Sequence, residues 1–345
     1  MRILVHEFAS GGGLAGEVVS ASLAREGSAM RDALVADLAA IGRHEILTTV
    51  DSRFPLSAPP GVEVVVLAPG AVGLDALIAS AHAVWLIAPE TNGCLERLAR
   101  RVERNGRMLL GPGVSAIRMA SDKTSLPYRL ARHGIRHPET RVLRPGVDPV
   151  IAAREIGYPI IVKPARGAGC EAVRLARGAR ELRQVLADYP SGGGLVVLQR
   201  YVRGVAASVS LLADGRRAVP LTLNAQHVRA SRRLSYGGGR TPLAHPLARQ
   251  ATEAAQQTCQ ALPGLRGYIG VDVVLTDREA VVIEVNPRLT TSYLGVRAAV
   301  AENVADLALV ACLGMLPAPP RVCRRVRFSA GGRILSAGTY PEVRR

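Results

Sequence analysis

Apolar positions recur along this chain with two different periods, and the balance between them shifts near residue 114. Arg2–Val5, Glu45–Val50, Val62–Leu67 and Ala83–Ile87 are short, nearly continuous apolar runs, the pattern of buried parallel strands. Between them, Ala29–Ile41 and Glu96–Asn105 carry apolar residues at helical spacing, and the second run stops at Gly106. Strand and helix in alternation predict an α/β layer over residues 1–113. A turn, Ser10–Gly13, follows the first strand, but its glycines lack the G-x-G-x-x-G spacing of a dinucleotide fold.

From about 114 the organisation changes. Short helices surround Ser121-Asp122-Lys123, followed by a Pro-rich extended stretch and a strand at Pro159–Lys163. A small Gly-rich loop, a strand at Ala172–Leu175, a helix at Ala179–Tyr189 and a Gly run at 192–194 come next. From Leu195 hairpin-like strands dominate, with helices over Leu247–Ala261 and Asn303–Leu313. The tail beyond Pro317 is rich in Pro and Arg, with an edge strand at Val326–Phe328. The predicted fold class is α/β with an α+β C-terminal part, divided into 1–113, 114–197 and 198–345.

Composition narrows the functional classes. A length of 345 residues supports two or three packed domains, and 48% hydrophobic with 21% charged residues suits a soluble enzyme. No window holds 18 uninterrupted apolar residues, so no membrane partner is expected. The N-terminus turns polar at His6-Glu7, too early for a signal peptide. Five scattered cysteines without metal-ligand spacing read as reduced thiols of a cytoplasmic protein. A net charge of +16 raises nucleic acid as a partner, yet the arginines are spread along the whole chain and aromatics are only 3%, so none is expected. The positive field would instead draw small anionic substrates. Of 44 basic residues only Lys123 and Lys163 are lysines. Where a chain this committed to Arg keeps Lys, a compact point charge is the predicted need.

Two segments carry the chemistry. Ile269–Thr276 and Ala280–Arg288 flank Asp277-Arg278-Glu279, a hairpin pattern. A turn centred on Arg278 sets Asp272 opposite Glu284, with Asn286 on the same face. Two carboxylates opposite each other among Val and Ile repel, and a divalent cation resolves the conflict. An all-oxygen site open to phosphates suits Mg²⁺. The alternative is that both carboxylates pair with nearby arginines on a solvated sheet face. The second segment is Ile160–Cys170, where Lys163 leaves a buried strand and Gly167 and Gly169 let backbone N–H groups approach phosphate oxygens. It is not a Walker A loop, because the Lys precedes the glycines.

Taken in order, Lys123 after Asp122, Lys163 with its Gly loop, a hinge at 199–202, then Asp272 and Glu284-x-Asn286-Pro287-Arg288 resemble the ATP-grasp superfamily. The likeness covers about 114–315 and implies a Rossmann-like pre-ATP-grasp domain, a small lid domain and an antiparallel C-terminal domain. It also implies that Lys123 and Lys163 contact ATP phosphates and that Gln199, Tyr201 and Val202 hold adenine. Asp272, Glu284 and Asn286 would bind one or two Mg²⁺ ions, or Mn²⁺, while Arg288 and Lys163 serve catalysis on the phosphoryl group. One departure is Ala206, in a stretch where many relatives have a glutamate near ribose. More narrowly, Glu7–Gly12, Ser208–Leu212, Asn224-x-Gln226, Tyr236-x-Gly238-Gly239 and Asn286–Tyr293 look similar to tyramine–glutamate ligases of methanofuran-type cofactor synthesis. That likeness implies small-molecule substrates, γ-glutamylation of an aromatic amine, and substrate contacts at Glu7, Tyr236, Gly238, Arg288 and Thr290. Tyr236 with glycines 237–239 reads as a mobile loop over the acceptor or an ordinary surface hairpin loop. Glu7 holds an amino group or is an exposed carboxylate. Other readings are a dipeptide, polyglutamate or other amino-acid ligase, or a non-catalytic nucleotide-binding regulator. A homo-oligomer is compatible with all of them.

Overall fold

The structure, a computed structural model, describes residues 1–68, 73–167, 172–189 and 194–339. Among these residues three sheets form. The first contains β1 (Arg2–Glu7), β2 (Glu45–Val50), β3 (Val62–Val66), β4 (Ala83–Ile87) and β5 (Met108–Leu109), all parallel, in the order β3-β2-β1-β4-β5. Helices α1 (Ala21–Ile41), α2 (Gly73–Ser80) and α3 (Cys94–Arg104) cover it. The strand order reverses between β1 and β4, so a crevice opens at their carboxyl ends, beside Glu7 and Glu90. Helix α1 starts at Ala21 rather than Ala29, capped by the Ser20 hydroxyl, which accepts from Leu23 N at 3.2 Å. The weakly patterned first turns include Gly27, where a Cβ would sit 2.6 Å from the Glu7 carboxylate. A helix-weakening residue is tolerated there because only it lets α1 lie on Glu7.

Helices α4 (Val114–Ser121) and α5 (Leu126–Arg132) lead to a small second sheet. It contains β6 (Thr140–Leu143), β7 (Ile160–Pro164), β8 (Arg174–Ala176) and β9 (Val196–Arg200), paired antiparallel in the order β6-β9-β7-β8. Helices α6 (Pro149–Ile156) and α7 (Ala179–Ala187) pack on one face, where Ile160, Val162, Ala176 and Leu198 meet Ala153, Ile156, Leu182 and Val185. Because strand residues alternate, Ile161, Lys163, Val197 and Gln199 point from the opposite face, and all four are buried there. Helix α6 lies inside the stretch expected to be extended. Pro149 is tolerated at its first turn, and the Asp148 carboxylate accepts from Val150 N at 2.7 Å.

The third sheet contains β10 (Val205–Asp214), β11 (Ala218–Ala230), β12 (Leu234–Thr241), β13 (Arg266–Leu275), β14 (Ala280–Asn286), β15 (Arg324–Ser329) and β16 (Ile334–Thr339). Their order is β14-β13-β10-β11-β12-β15-β16. Helix α8 (Ala248–Ala261) packs on one face. Helices α9 (Ser292–Ala299) and α10 (Val304–Cys312) cover the other and merge with α1 and β1 into one core. The Asp37 carboxylate clamps that junction, accepting from the Tyr293 hydroxyl at 2.5 Å and Arg297 Nε at 2.7 Å.

Several expectations need correction. Val326–Phe328 is not an edge, because β16 pairs outside it. Residues 237–239 are not a loop: they lie in β12, between β11 and β15. Helices α4 and α5, grouped with the central unit by a boundary at 113, contribute Ala116, Ala120, Leu126 and Leu130 to the core beneath the third sheet. A boundary at 197 also cuts β9, whereas the chain crosses between sheets at 201–204. No helix among the described residues is long and apolar enough to cross a membrane.

Candidate active site

The β13–β14 hairpin puts Asp272 directly opposite Glu284, closed by a turn in which Thr276 Oγ1 accepts from Glu279 N at 2.9 Å. Asp272 accepts from Gln226 Nε2 at 2.8 Å and from Asn286 Nδ2 at 3.0 Å. Burial, then the neighbouring Glu284 charge, pushes its pKa up to about 6. Burial acts upward on Glu284 too, but Lys123 and then Lys163 outweigh it and hold that carboxyl below its usual range. The Lys123 ammonium lies 3.3 Å from Glu284 Oε2 and donates to the Gly167 carbonyl at 2.7 Å. It thereby ties the loop after β7 to the third sheet. Burial pulls the Lys163 ammonium down to about 8, opposed by Glu284, with Lys123 and Asp272 also within electrostatic reach. The sequence-predicted lysines and carboxylates therefore converge. Gly169 lies outside the described residues.

At the hinge, Gln199 Nε2 donates to Thr140 Oγ1 at 3.0 Å and lies 3.1 Å from His137 Nε2. His137 Nδ1 faces the Val282 carbonyl at 2.8 Å, so that nitrogen carries the proton and Nε2 accepts. Burial, then Lys163, brings the His137 pKa down to about 4 and keeps the ring neutral. Tyr201 and Val202 follow β9 in the crossing, where Tyr201 N donates to the Pro159 carbonyl at 3.0 Å. A cleft of about 500 Å³ opens there, between Pro159 and Leu175 of the small sheet, Tyr201 and Arg203 of the crossing, and Ala230 of β11.

The other end of the site is built from more distant parts. Arg288 Nε donates to Glu90 Oε1 at 3.1 Å, and Arg288 also donates to the Leu289 carbonyl at 3.0 Å. Thr291 Oγ1 donates to Glu26 of α1. The Tyr236 hydroxyl bonds Ser292, and burial, then the Glu26 and Asp272 charges, raise its pKa. Thr290 lies against Gly270, where a Cβ would come within 2.8 Å of its methyl. Gly238 packs against the β15 backbone: a Cβ would sit 2.1 Å from the Phe328 carbonyl oxygen. Its glycine is required for that strand contact, which removes the reason to place it over an acceptor.

Glu7 is also corrected, since it is neither exposed nor free. It accepts from Ala9 N at 3.0 Å and, through its other oxygen, from Ser10 N at 2.5 Å and Ser10 Oγ at 2.7 Å. Sequence reasoning missed Glu26 and Glu90. The readable signal for Glu90 was a carboxylate three residues past a buried apolar strand, at the crevice of a parallel sheet.

Residues 120–292 match the ATP-grasp domain, and residues 44–117 match the pre ATP-grasp 3 domain. The chain belongs to the ATP-grasp family. Its three sheets are the ATP-grasp fold, with the small sheet as lid. The chain is 28% identical over 232 residues to the carbamoyl phosphate synthase large chain of Thermus thermophilus, covering 63% of this chain and 22% of that one. It is 28% identical over 211 residues to the tyramine–L-glutamate ligase of Methanocaldococcus fervens, covering 61% and 60%. It thus spans between about a fifth and three fifths of these curated relatives. An ATP-grasp superfamily protein from Archaeoglobus fulgidus superimposes with a TM-score of 0.70 at 25% identity, over 95% of this chain and 92% of its own.

Family members use ATP and Mg²⁺, and the residues here fit that ion. No group of three His, Cys, Asp or Glu among the described residues could hold a metal. Asp272 and Glu284 are a pair, which the Asn286 amide and the oxygens of a bound phosphate would complete, as Mg²⁺ is usually held at nucleotide sites. Two facing carboxylates, one pushed upward by burial and then by the charge of the other, favour such an ion.

Proposed function

We propose that this protein is an ATP-dependent carboxylate–amine ligase that forms an amide through an acyl phosphate. The observation that carries the reading is the convergence of Lys123, Lys163, Asp272 and Glu284 on one spot, with Arg288 two residues beyond the Asn286 end of the same hairpin. Lys123 and Lys163 hold the triphosphate as point charges. Gln199, Tyr201 and Val202 hold adenine at the hinge. Asp272, Glu284 and Asn286 would hold Mg²⁺, which when bound neutralises charge on the phosphates. A carboxylate oxygen attacks the γ-phosphorus, the bond to the β-bridging oxygen breaks, and ADP leaves. Arg288 faces the charge that builds on the transferred group. A neutral amine then attacks the acyl carbon, phosphate departs, and the ammonium formed gives a proton to solvent.

For substrates, the proposal is the glutamate γ-carboxylate and tyramine or a related aromatic amine. The Methanocaldococcus relative and the segments Glu7–Gly12, Asn224-x-Gln226 and Asn286–Tyr293 support that choice. The test is incubation with ATP, Mg²⁺, L-glutamate and a panel of amines, following phosphate release and the mass of the product. Glutamate-dependent phosphate and a γ-glutamyl amide are expected. Phosphate release with other acids but not with glutamate would overturn the substrate assignment. No acid-dependent ADP at all would overturn the ligase reading.

A further inference from the structure

We propose that Glu90, with Glu26 near the same Arg288 guanidinium, receives the ammonium of an α-amino-acid substrate, so that the enzyme selects the zwitterion over the corresponding bare acid. The proposal rests on the ligase reading and extends it to the group that chooses the acceptor.

The first observation is Glu90 itself. It is only 4% exposed, and one oxygen accepts from Arg288. Its other oxygen, Oε2, is buried and has no hydrogen-bond partner among the described residues. A buried carboxylate oxygen without a donor is costly, and native sites keep one only when something else supplies the donor. The second observation is the charge balance. Arg288 lies within electrostatic reach of Glu90, Glu26 and Glu284. Glu284 is already matched by Lys123 and Lys163. That leaves one guanidinium facing two carboxylates, an excess of one negative charge at the acceptor end. A carboxylate alone would worsen this imbalance after binding Arg288. A carboxylate with an ammonium a few bonds away matches both signs.

Neighbouring groups do not offer the same service. Both oxygens of Glu7 accept from the turn that follows it. Asp272 is bonded to Gln226 and Asn286 at the phosphate end. Glu26 accepts from Thr291 and has capacity left for a second donor. Tyr236 and Ser292 add neutral hydrogen-bonding groups beside it.

The competing explanation is that Glu90 only orients Arg288. The two differ in what they do to an acid without an ammonium. Acid-dependent ADP release is measured for L-glutamate and glutarate, then for each other standard amino acid and its deaminated counterpart, in wild type, Glu90→Gln and Glu26→Gln. Wild type should favour the amino acid by at least about 10²-fold in kcat/KM, the scale of a buried charged contact. Glu90→Gln should collapse that ratio to within about tenfold, with the amino acid losing through KM at least about tenfold more than the deaminated acid loses. Glu26→Gln, at a half-buried site, should shrink the ratio by less, and guards against a Glu90 variant that fails to fold. Equal losses on both acids, or a wild type indifferent to the ammonium, overturn the proposal while leaving the ligase reading standing. If no acid in the panel stimulates ADP release by wild type, both fall together.

Discussion

The two ends of the active site solve opposite electrostatic problems. At the phosphate end Lys123 and Lys163 meet Asp272 and Glu284, two cations against two anions. At the acceptor end Arg288 meets Glu26 and Glu90, one cation against two anions, with a carboxylate oxygen left over. The phosphate end is nearly neutral before anything binds, so the charge of an entering nucleotide must be offset largely by the cations that come with it. The acceptor end is poised for a ligand with a positive group. A buried charge is tolerated only with a partner, so each end reports the charge of what it holds.

The largest test of this contrast is Glu284→Gln. The substitution keeps the shape of the side chain but leaves Lys123 without its anion and Asp272 without its facing carboxylate. ADP formation should fall roughly 10³-fold or more, while affinity for an ATP analogue changes by less than about tenfold. Steady-state rates and analogue titration read the two effects separately. Full activity would remove the phosphate end from the mechanism.

Lys163→Arg sharpens the contrast further. Lys163 leaves β7 at a position only 4% exposed, where the broad guanidinium fork does not fit as the ammonium does. We expect a loss of roughly 10² in kcat/KM for ATP with little change in KM for the acid. The Glu90 variant should show the reverse pattern. If both variants move the same parameter, the division into two ends is wrong.

How much of this was legible beforehand follows the same division. The phosphate end was readable because its parts are local. Hairpin register alone sets Asp272 against Glu284 and puts Asn286 on their face, and Lys123 and Lys163 stood out against an Arg-rich background. The acceptor end is assembled from α1, the segment after β4, β12 and the start of α9, which no periodicity connects. Glu26 lay in the part of α1 that Gly27 obscured, and Glu90 carried no motif. Tyr236 and Gly238 misled because a glycine run resembles a loop. In the sheet, Gly238 and Gly239 are small because Phe328 and its backbone crowd β12. The missed α6 shows the same limit, since a Pro-rich stretch still forms a helix when Pro stands at the first turn behind an Asp cap.

A pH profile separates the ends by a smaller effect. Lys163 loses its charge as pH rises through about 8, so KM for ATP should climb above that pH. Asp272 gains a proton as pH falls through about 6, so the Mg²⁺ requirement should steepen below it. Nucleotide affinity should therefore be best between those limits, with changes of about tenfold per pH unit outside them. The preference for amino acid over deaminated acid should stay level across the same window, because the ammonium remains charged throughout it. A preference that tracks the nucleotide limb would tie the two ends together.

The smallest expected effect concerns the bodies that carry the two ends. The acceptor end is held by the core shared between α1, β1, α9 and α10, whereas Lys163 rides on a lid whose core is separate. Val162 is fully buried in that lid core, on the opposite face of β7 from Lys163. Val162→Ala should cost about 1–2 kcal/mol, within the range for removing buried methyl groups. Because the two cores do not merge, the cost should appear as faster amide exchange in β6–β9 and a raised KM for ATP, with α1 and α9 protected as before. Tyr293→Phe is the counterpart in the body. It removes the hydroxyl that donates to Asp37 but keeps both Arg297 contacts, for a cost of about 1 kcal/mol. Its loosening should reach α1 and the Glu26–Thr291 contact and leave the lid alone. Exchange that spreads from Val162 into α9, or from Tyr293 into β7, would mean that lid and body unfold as one unit, and the independence assigned to the two ends would have no structural basis.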